Sequence, residues 1–174
     1  MRVIAGAYRG RRLGAPPGRD IRPTGDRVKE ALFSILGPGI AGLDVLDLFA
    51  GTGALGIEAL SRGARSAVFV DTDTRAVTAN LAGIEGAEVV RADARAYLRS
   101  VPATRRQYDL LLLDPPYRQA PQLGLELSDL VAAVLAPGGT VVSESDRRSP
   151  LDLPALTLTD ERRYGDTLIR FHEH

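Results

Sequence analysis

Two segments of this chain carry residue types whose spacing suits chemistry. The first is Phe49-Ala50-Gly51-Thr52-Gly53-Ala54-Leu55-Gly56, with Asp47 just ahead of it. Glycines let a backbone turn tightly and approach a ligand without a Cβ in the way. A helix opening directly after them offers free N–H groups to an anion. Asp71 lies where a carboxylate at the end of the next strand grips ribose hydroxyls. Gly51-x-Gly53-x-x-Gly56 with Asp71 also satisfies the dinucleotide fingerprint. The segment therefore specifies a nucleoside-containing cofactor held by Phe49, Ala50, Gly51, Gly53 and Asp71, without choosing which.

Asp47 narrows the choice. A pyrophosphate would face its carboxylate, and two unit charges about 4 Å apart repel by roughly 4 kcal/mol at an effective dielectric of about 20. S-adenosylmethionine brings an ammonium and a sulfonium instead, which Asp47 favours directly or through water. The other reading of Asp47 is local: it bonds backbone amides in the turn. Asp93, in Ala92-Asp93-Ala94, is the third acid of the set. Beside Ala94 it is placed to accept from an adenine amine, to cap the helix that starts there, or to do both.

The second segment is Asp114-Pro115-Pro116-Tyr117. Methylating an aromatic amine requires that its delocalised lone pair be directed at the methyl carbon. A carboxylate and a backbone carbonyl accept the two amine hydrogens and so orient the lone pair. Pro115 and Pro116 fix φ and stiffen the loop that presents these acceptors. Tyr117 offers a flat face for an extruded base. Holding amine and methyl in contact accounts for much of the acceleration, and Asp114 steadies the positive charge growing on nitrogen.

Both segments must be positioned by a sheet. Apolar runs occur at 43–49, 66–70, 87–90, 108–113 and 139–143, with helix-like segments near 54–62, 73–82, 94–100 and 122–135. Such alternation predicts an α/β fold, with a mostly parallel sheet covered on both faces. Leu110-Leu111-Leu112-Leu113 suits a strand buried on both sides. A strand order 3-2-1-4 would bring Asp47, Asp71 and Asp93 to one sheet edge, where ligands bind. Earlier in the chain, 2–5 and 10–13 read as a short hairpin, and 25–36 as an amphipathic helix capped by Thr24. At the other end, 155–163 and 167–172 flank a hairpin turn at Tyr164-Gly165-Asp166-Thr167.

The 174 residues suit one domain. Cysteine is absent and the two histidines, His172 and His174, sit at the C-terminal end, which argues against a metal site or a histidine-based triad. No apolar stretch is long enough to span a membrane, and the N-terminus shows no signal peptide, so the expectation is a soluble cytoplasmic protein. Net charge is zero, yet residues 1–22 hold six arginines against one acid, Asp20. A basic arm on a neutral protein suits phosphate contact, although 21 arginines against one lysine also fit GC-rich coding.

Several blocks resemble the RsmD-type family of bacterial small-subunit ribosomal RNA methyltransferases: RVIAGAYRGRRL at 2–13, RPTGDRVKEALFSIL at 22–36, LDLFAGTGALGIEALSRGA at 46–64, DPPY at 114–117 and YGDT at 164–167. The resemblance implies a seven-stranded Rossmann-like class I methyltransferase fold at 23–174 with a basic β-hairpin extension at 1–22. It implies S-adenosylmethionine as cofactor, with Asp47, Gly51, Gly53, Asp71 and Asp93 at cofactor positions and Asp114 to Tyr117 at the target base. The implied substrate is the N2 amine of a guanine in small-subunit (16S) ribosomal RNA, in an assembled or partly assembled subunit. Arg9, Arg11, Arg12 and Arg22 are the candidate RNA contacts, and a monomer is expected. Position 71 departs from the family pattern, where glutamate is more usual, and aspartate is the shorter arm. Three other readings stay open on the sequence: another nucleic-acid base amine or a protein side chain as acceptor, a nicotinamide-dependent oxidoreductase, and a non-catalytic RNA-binding factor.

Overall fold

The computed structural model describes residues 1–15 and 25–174, and the backbone alone of Tyr117. Seven strands form one sheet: β1 (Asp44–Leu48), β2 (Ser66–Asp71), β3 (Ala87–Arg91), β4 (Tyr108–Leu113), β5 (Leu135–Asp146), β6 (Thr157–Tyr164) and β7 (Thr167–Glu173). Their order is β3-β2-β1-β4-β5-β7-β6, so the predicted 3-2-1-4 order is present. β1 to β5 run parallel, and β7 lies antiparallel between β5 and β6.

Helices cover both faces. Val45, Phe69, Leu110 and Leu112 pack toward α1 (Asp26–Leu36), α2 (Ala54–Ser61) and α3 (Arg75–Asn80). Leu46, Leu48, Val68, Leu111 and Leu113 pack toward α4 (Ala94–Thr104) and α5 (Ala120–Val134). The leucine run of β4 is buried on both sides, as its composition predicts.

Helix α2 explains the N-terminal arm. All eight of its residues are buried, so one apolar face against the sheet is not enough. The arm supplies the second cover. Val3 and Leu13 join the same core as α2, with Met1 and Tyr8 packed at its margin. The arm pairs its two segments as the expected hairpin does, but too briefly for a regular strand. Around one antiparallel bridge, Arg2 to Arg12, the Val3 amide donates to the Arg11 carbonyl at 2.9 Å, the Gly10 amide to the Val3 carbonyl at 2.9 Å and the Leu13 amide to the Met1 carbonyl at 3.1 Å. Side chains of α2 take up hydrogen-bonding groups that a ladder would otherwise use. Glu58 accepts from the Ile4 and Ala5 amides at 2.8 and 3.0 Å, and Ser61 Oγ from the Tyr8 amide at 2.9 Å. Gly6 permits the approach, since a Cβ there would fall 1.7 Å from the Ser61 carbonyl oxygen.

Helix α1 starts at Asp26 with Gly25 in the cap position and no side-chain cap bond. The predicted cap, Thr24, and the candidate RNA contact Arg22 lie outside the described residues. Strand β5 exceeds the apolar run 139–143 at both ends: it starts at Leu135, and the buried Glu144 and Ser145 carry it on to Asp146. The terminal hairpin forms as read, with Tyr164 paired to Thr167 around Gly165 at φ 63°. Among the described residues no helix is long and apolar enough to cross a membrane.

Candidate active site

The site is built where β1 and β4 end. These strands pair in parallel register, and their last residues, Leu48 and Leu113, are partners. The glycine segment leaves one strand and Asp114-Pro115-Pro116-Tyr117 leaves its neighbour. Adjacent strands lie about 4.8 Å apart, so the two loops emerge side by side.

The glycine loop is aimed by a backbone reversal at Phe49. Its φ is 65°, a region that a bulky residue adopts only when the surroundings impose it, at a cost of about 1–3 kcal/mol. The imposing contacts come from β2. The Ala50 amide donates to the Val70 carbonyl at 3.0 Å, and the Gly51 amide to Asp71 Oδ2 at 2.8 Å. The loop thus crosses from β1 over the end of β2 before Gly53, in the left-handed region, starts α2.

Asp71 also accepts from the Asp73 amide through Oδ1 at 2.9 Å. Thr72 Oγ1 donates to the same Oδ1 at 3.5 Å. An ionised carboxylate offers roughly four acceptor sites, so about one remains for a hydroxyl after these three bonds. Asp93 caps α4, with Oδ1 accepting from the Arg95 and Ala96 amides at 3.0 and 3.3 Å. Its side chain is 55% exposed, and Arg95 lies near the same oxygen at 3.7 Å. The capping role is therefore present, and it leaves Oδ2 toward solvent. Ala94 is the first residue of α4 with its methyl group in the core, so only its backbone can meet a ligand.

Asp47 is 2% exposed and lies beneath the loop. Its Oδ2 accepts from the Gly56 amide at 2.9 Å, taking one of the N–H groups at the start of α2. Gly56 allows this because a Cβ would fall 2.3 Å from Cε1 of Phe69 and 3.0 Å from Asp47 Oδ2. The local role weighed for Asp47 is thus made, and any influence on a cofactor cation acts as a field from below the loop. Burial pushes its carboxyl up to about 7; the Gly56 amide opposes the shift and Asp71 adds to it. The unfolded carboxyl ionises near 3.8. Between these values the folded state binds more protons than the unfolded one. Asp47's contribution to stability therefore falls as pH rises, and levels off above about 7. Asp47→Asn removes this slope. The expected result is a melting temperature that gains on wild type between about pH 5.5 and about pH 8; a difference constant with pH contradicts the assignment.

Asp114 is half-buried, Pro115 buried and Pro116 exposed. The Pro116 carbonyl accepts the Gln119 amide at 2.9 Å, and Tyr117 opens a single 3-10 turn, Tyr117–Gln119, that leads into α5. The loop is therefore held at both ends, by β4 and by α5.

The arginines are not brought together equally. The arm's turn lies at the C-terminal end of α2, where the Ala7 amide donates to the Ser61 carbonyl at 2.7 Å. Arg9 is exposed near that end, away from the glycine loop. Arg11 donates to the Ala82 carbonyl at 2.5 Å, and Arg12 is exposed beside the bridge to Arg2.

Three residues escaped the sequence reading. Glu58 meets Arg62 at 2.8 Å and Lys29 at 3.4 Å besides the two arm amides. A charge inside an otherwise apolar helical run was the available signal, since buried charges require partners. Asn80 links the arm to the glycine loop. Glu144, 3% exposed, stands on β5 one position beyond Ser143, the register partner of Leu113.

The family profile described as "Conserved hypothetical protein 95" matches residues 1–173. The chain belongs to this family. "Ribosomal RNA small subunit methyltransferase D" of Haemophilus influenzae is 34% identical over 188 residues, covering 100% of this chain and 94% of the relative. YlbH of Bacillus subtilis is 39% identical, covering 99% and 98%. Among solved structures, yhhF from Escherichia coli superposes with a TM-score of 0.80 at 34% identity, covering 99% of this chain and 96% of that one. The resemblance read from the sequence blocks to RsmD-type enzymes is thereby shown, and the fold is the Rossmann-like class I methyltransferase fold. Among the described residues no cluster of His, Cys, Asp or Glu could hold a metal ion.

Proposed function

We propose that this protein transfers a methyl group from S-adenosylmethionine to the exocyclic N2 amine of a guanine in small-subunit ribosomal RNA. The supporting observation is the register pair Leu48 and Leu113, which sends the glycine loop and Asp114 off neighbouring strand ends.

The residues present fit the cofactor. Phe49, Ala50, Gly51 and Gly53 form the loop against which a cofactor would lie, with room at Gly51, where a Cβ would meet only the Phe49 carbonyl oxygen at 3.9 Å, and Asp71 keeps acceptor capacity for a ribose hydroxyl. Asp93 and the Ala94 backbone stand at the next strand end for the adenine, and Asp47 supplies negative potential from below. The bound cofactor supplies a methyl group made electrophilic by its sulfonium. Asp114 accepts one amine hydrogen and a carbonyl of the proline loop the other, which turns the nitrogen lone pair toward the methyl position. Pro115 and Pro116 keep these acceptors in place, and Tyr117, by residue type, is the stacking surface for the extruded base. The carboxylate of Asp114 stabilises positive charge growing on nitrogen and lies on the path of the departing proton.

Arg12 and Arg9, with Arg11 and Arg22, are the phosphate contacts of this reading. Such contacts set orientation rather than sequence. With zero net charge, affinity for naked RNA is weak and salt-sensitive, which favours an assembled or partly assembled subunit as substrate. A monomer acting in the cytoplasm completes the proposal.

Calorimetric titration tests the cofactor assignment. S-adenosylhomocysteine is expected to bind and to raise the melting temperature, while NAD does neither. Binding of NAD without binding of S-adenosylhomocysteine would return the glycine loop to the oxidoreductase reading.

A further inference from the structure

Asn80, 8% exposed at the end of α3, carries bonds that belong to neither the core nor the helix. Its Nδ2 donates to the Gly14 carbonyl at 2.9 Å and to the Thr52 carbonyl at 3.0 Å. Its Oδ1 accepts from the Gly14 amide at 2.9 Å. Both donor hydrogens of the amide are thus committed, one to each of two segments distant in sequence. Thr52 lies between Gly51 and Gly53 in the cofactor loop, and Gly14 follows Arg11, Arg12 and Leu13 in the basic arm. The arm's other end arrives at the same place. Thr52 Oγ1 donates to Met1 Sδ at 3.6 Å, and the Leu13 amide to the Met1 carbonyl at 3.1 Å. The cofactor loop and the arm therefore share one anchor.

We infer that Asn80 is a positioning residue that couples the two, so that cofactor and RNA each raise the affinity for the other. The inference rests on the arm being an RNA contact, as proposed above. A ligand that fixes the Gly51–Gly53 backbone fixes the Thr52 carbonyl, and through Asn80 it fixes Gly14 and the segment bearing Arg11 and Arg12. Linkage makes the effect reciprocal. Another side chain at position 80 can fill the space without joining the segments. Aspartate keeps an acceptor for the Gly14 amide, loses both donors and sets a carboxylate against two carbonyl oxygens.

The test measures affinity for small-subunit particles from cells lacking this gene, with and without saturating S-adenosylhomocysteine. Wild type is expected to bind about fivefold more tightly when the cofactor product is present. In Asn80→Ala and Asn80→Asp that factor falls below about twofold, although both variants still bind S-adenosylhomocysteine. A packing role alone would lower the melting temperature and leave the factor intact. Hydrogen exchange on the wild-type protein gives a readout independent of either variant folding: S-adenosylhomocysteine is expected to slow exchange of the Gly14 amide. Absent coupling in wild type, coupling retained in a folded variant, or unchanged protection of Gly14 each overturns the inference. Wild type that methylates the particles without such coupling sinks the coupling alone, whereas wild type that methylates nothing sinks the proposed function.

Discussion

Asp114→Ala is expected to lower kcat for methyl transfer by about 10³-fold, the range lost when a group that orients or stabilises the reacting atoms is removed. S-adenosylhomocysteine affinity should change by less than about threefold, because Asp114 follows β4 while the proposed cofactor residues lie at and beyond the ends of β1, β2 and β3. Asp114→Asn sharpens the result. It preserves size but turns one acceptor into a donor, which meets an amine hydrogen with a hydrogen. Single-turnover rates on purified particles, paired with calorimetry, check both halves. Turnover within about threefold of wild type in either variant would remove Asp114 from the chemistry.

The second large effect concerns stability. Glu58→Ala leaves Lys29 buried without its carboxylate and deprives the Ile4 and Ala5 amides of their acceptor. Burial already pulls the Lys29 ammonium below its ordinary range, and Glu58 is the main influence holding it up. Breaking a buried pair from one side costs about 3–5 kcal/mol, which for a chain of this size lowers Tm by about 6–20 °C. Lys29→Met should cost less, because it removes the buried charge, and Glu58 keeps Arg62 and both amides. Thermal denaturation followed by circular dichroism decides the matter. A Glu58→Ala protein melting within about 2 °C of wild type would mean that Glu58 is not what holds the arm.

The sheet was legible because its signals are local. Leu110-Leu111-Leu112-Leu113 suits a doubly buried strand, and Gly51-Thr52-Gly53 after Leu46-Asp47-Leu48 reads as strand, turn and helix start. The partnership of Asp114 with the glycine loop followed from strand order. The arm was legible as charge and as two pairing segments, but not in what anchors it. Part of its backbone is taken up by Glu58 and Ser61, more than fifty residues away, and such long-range capture leaves no signal in residues 2–13. Strand β5 was underestimated for a related reason. Glu144 and Ser145 look like the start of a polar loop, yet both pair with β7 and are buried. Asp47 shows the opposite limit: its position was clear, while its bond to Gly56 and its burial emerge only when α2 folds back over β1.

The proposed reaction requires a cofactor methyl and a guanine amine to meet between the ends of β1 and β4. Nucleoside mass spectrometry of small-subunit RNA tests it most directly, using particles from cells lacking the gene, incubated with the purified protein and S-adenosylmethionine carrying a deuterated methyl group. Wild type is expected to leave one labelled N2-methylguanosine in the RNA, and Asp114→Ala none. Label confined to another base, to protein, or absent from particles treated with wild type would contradict it.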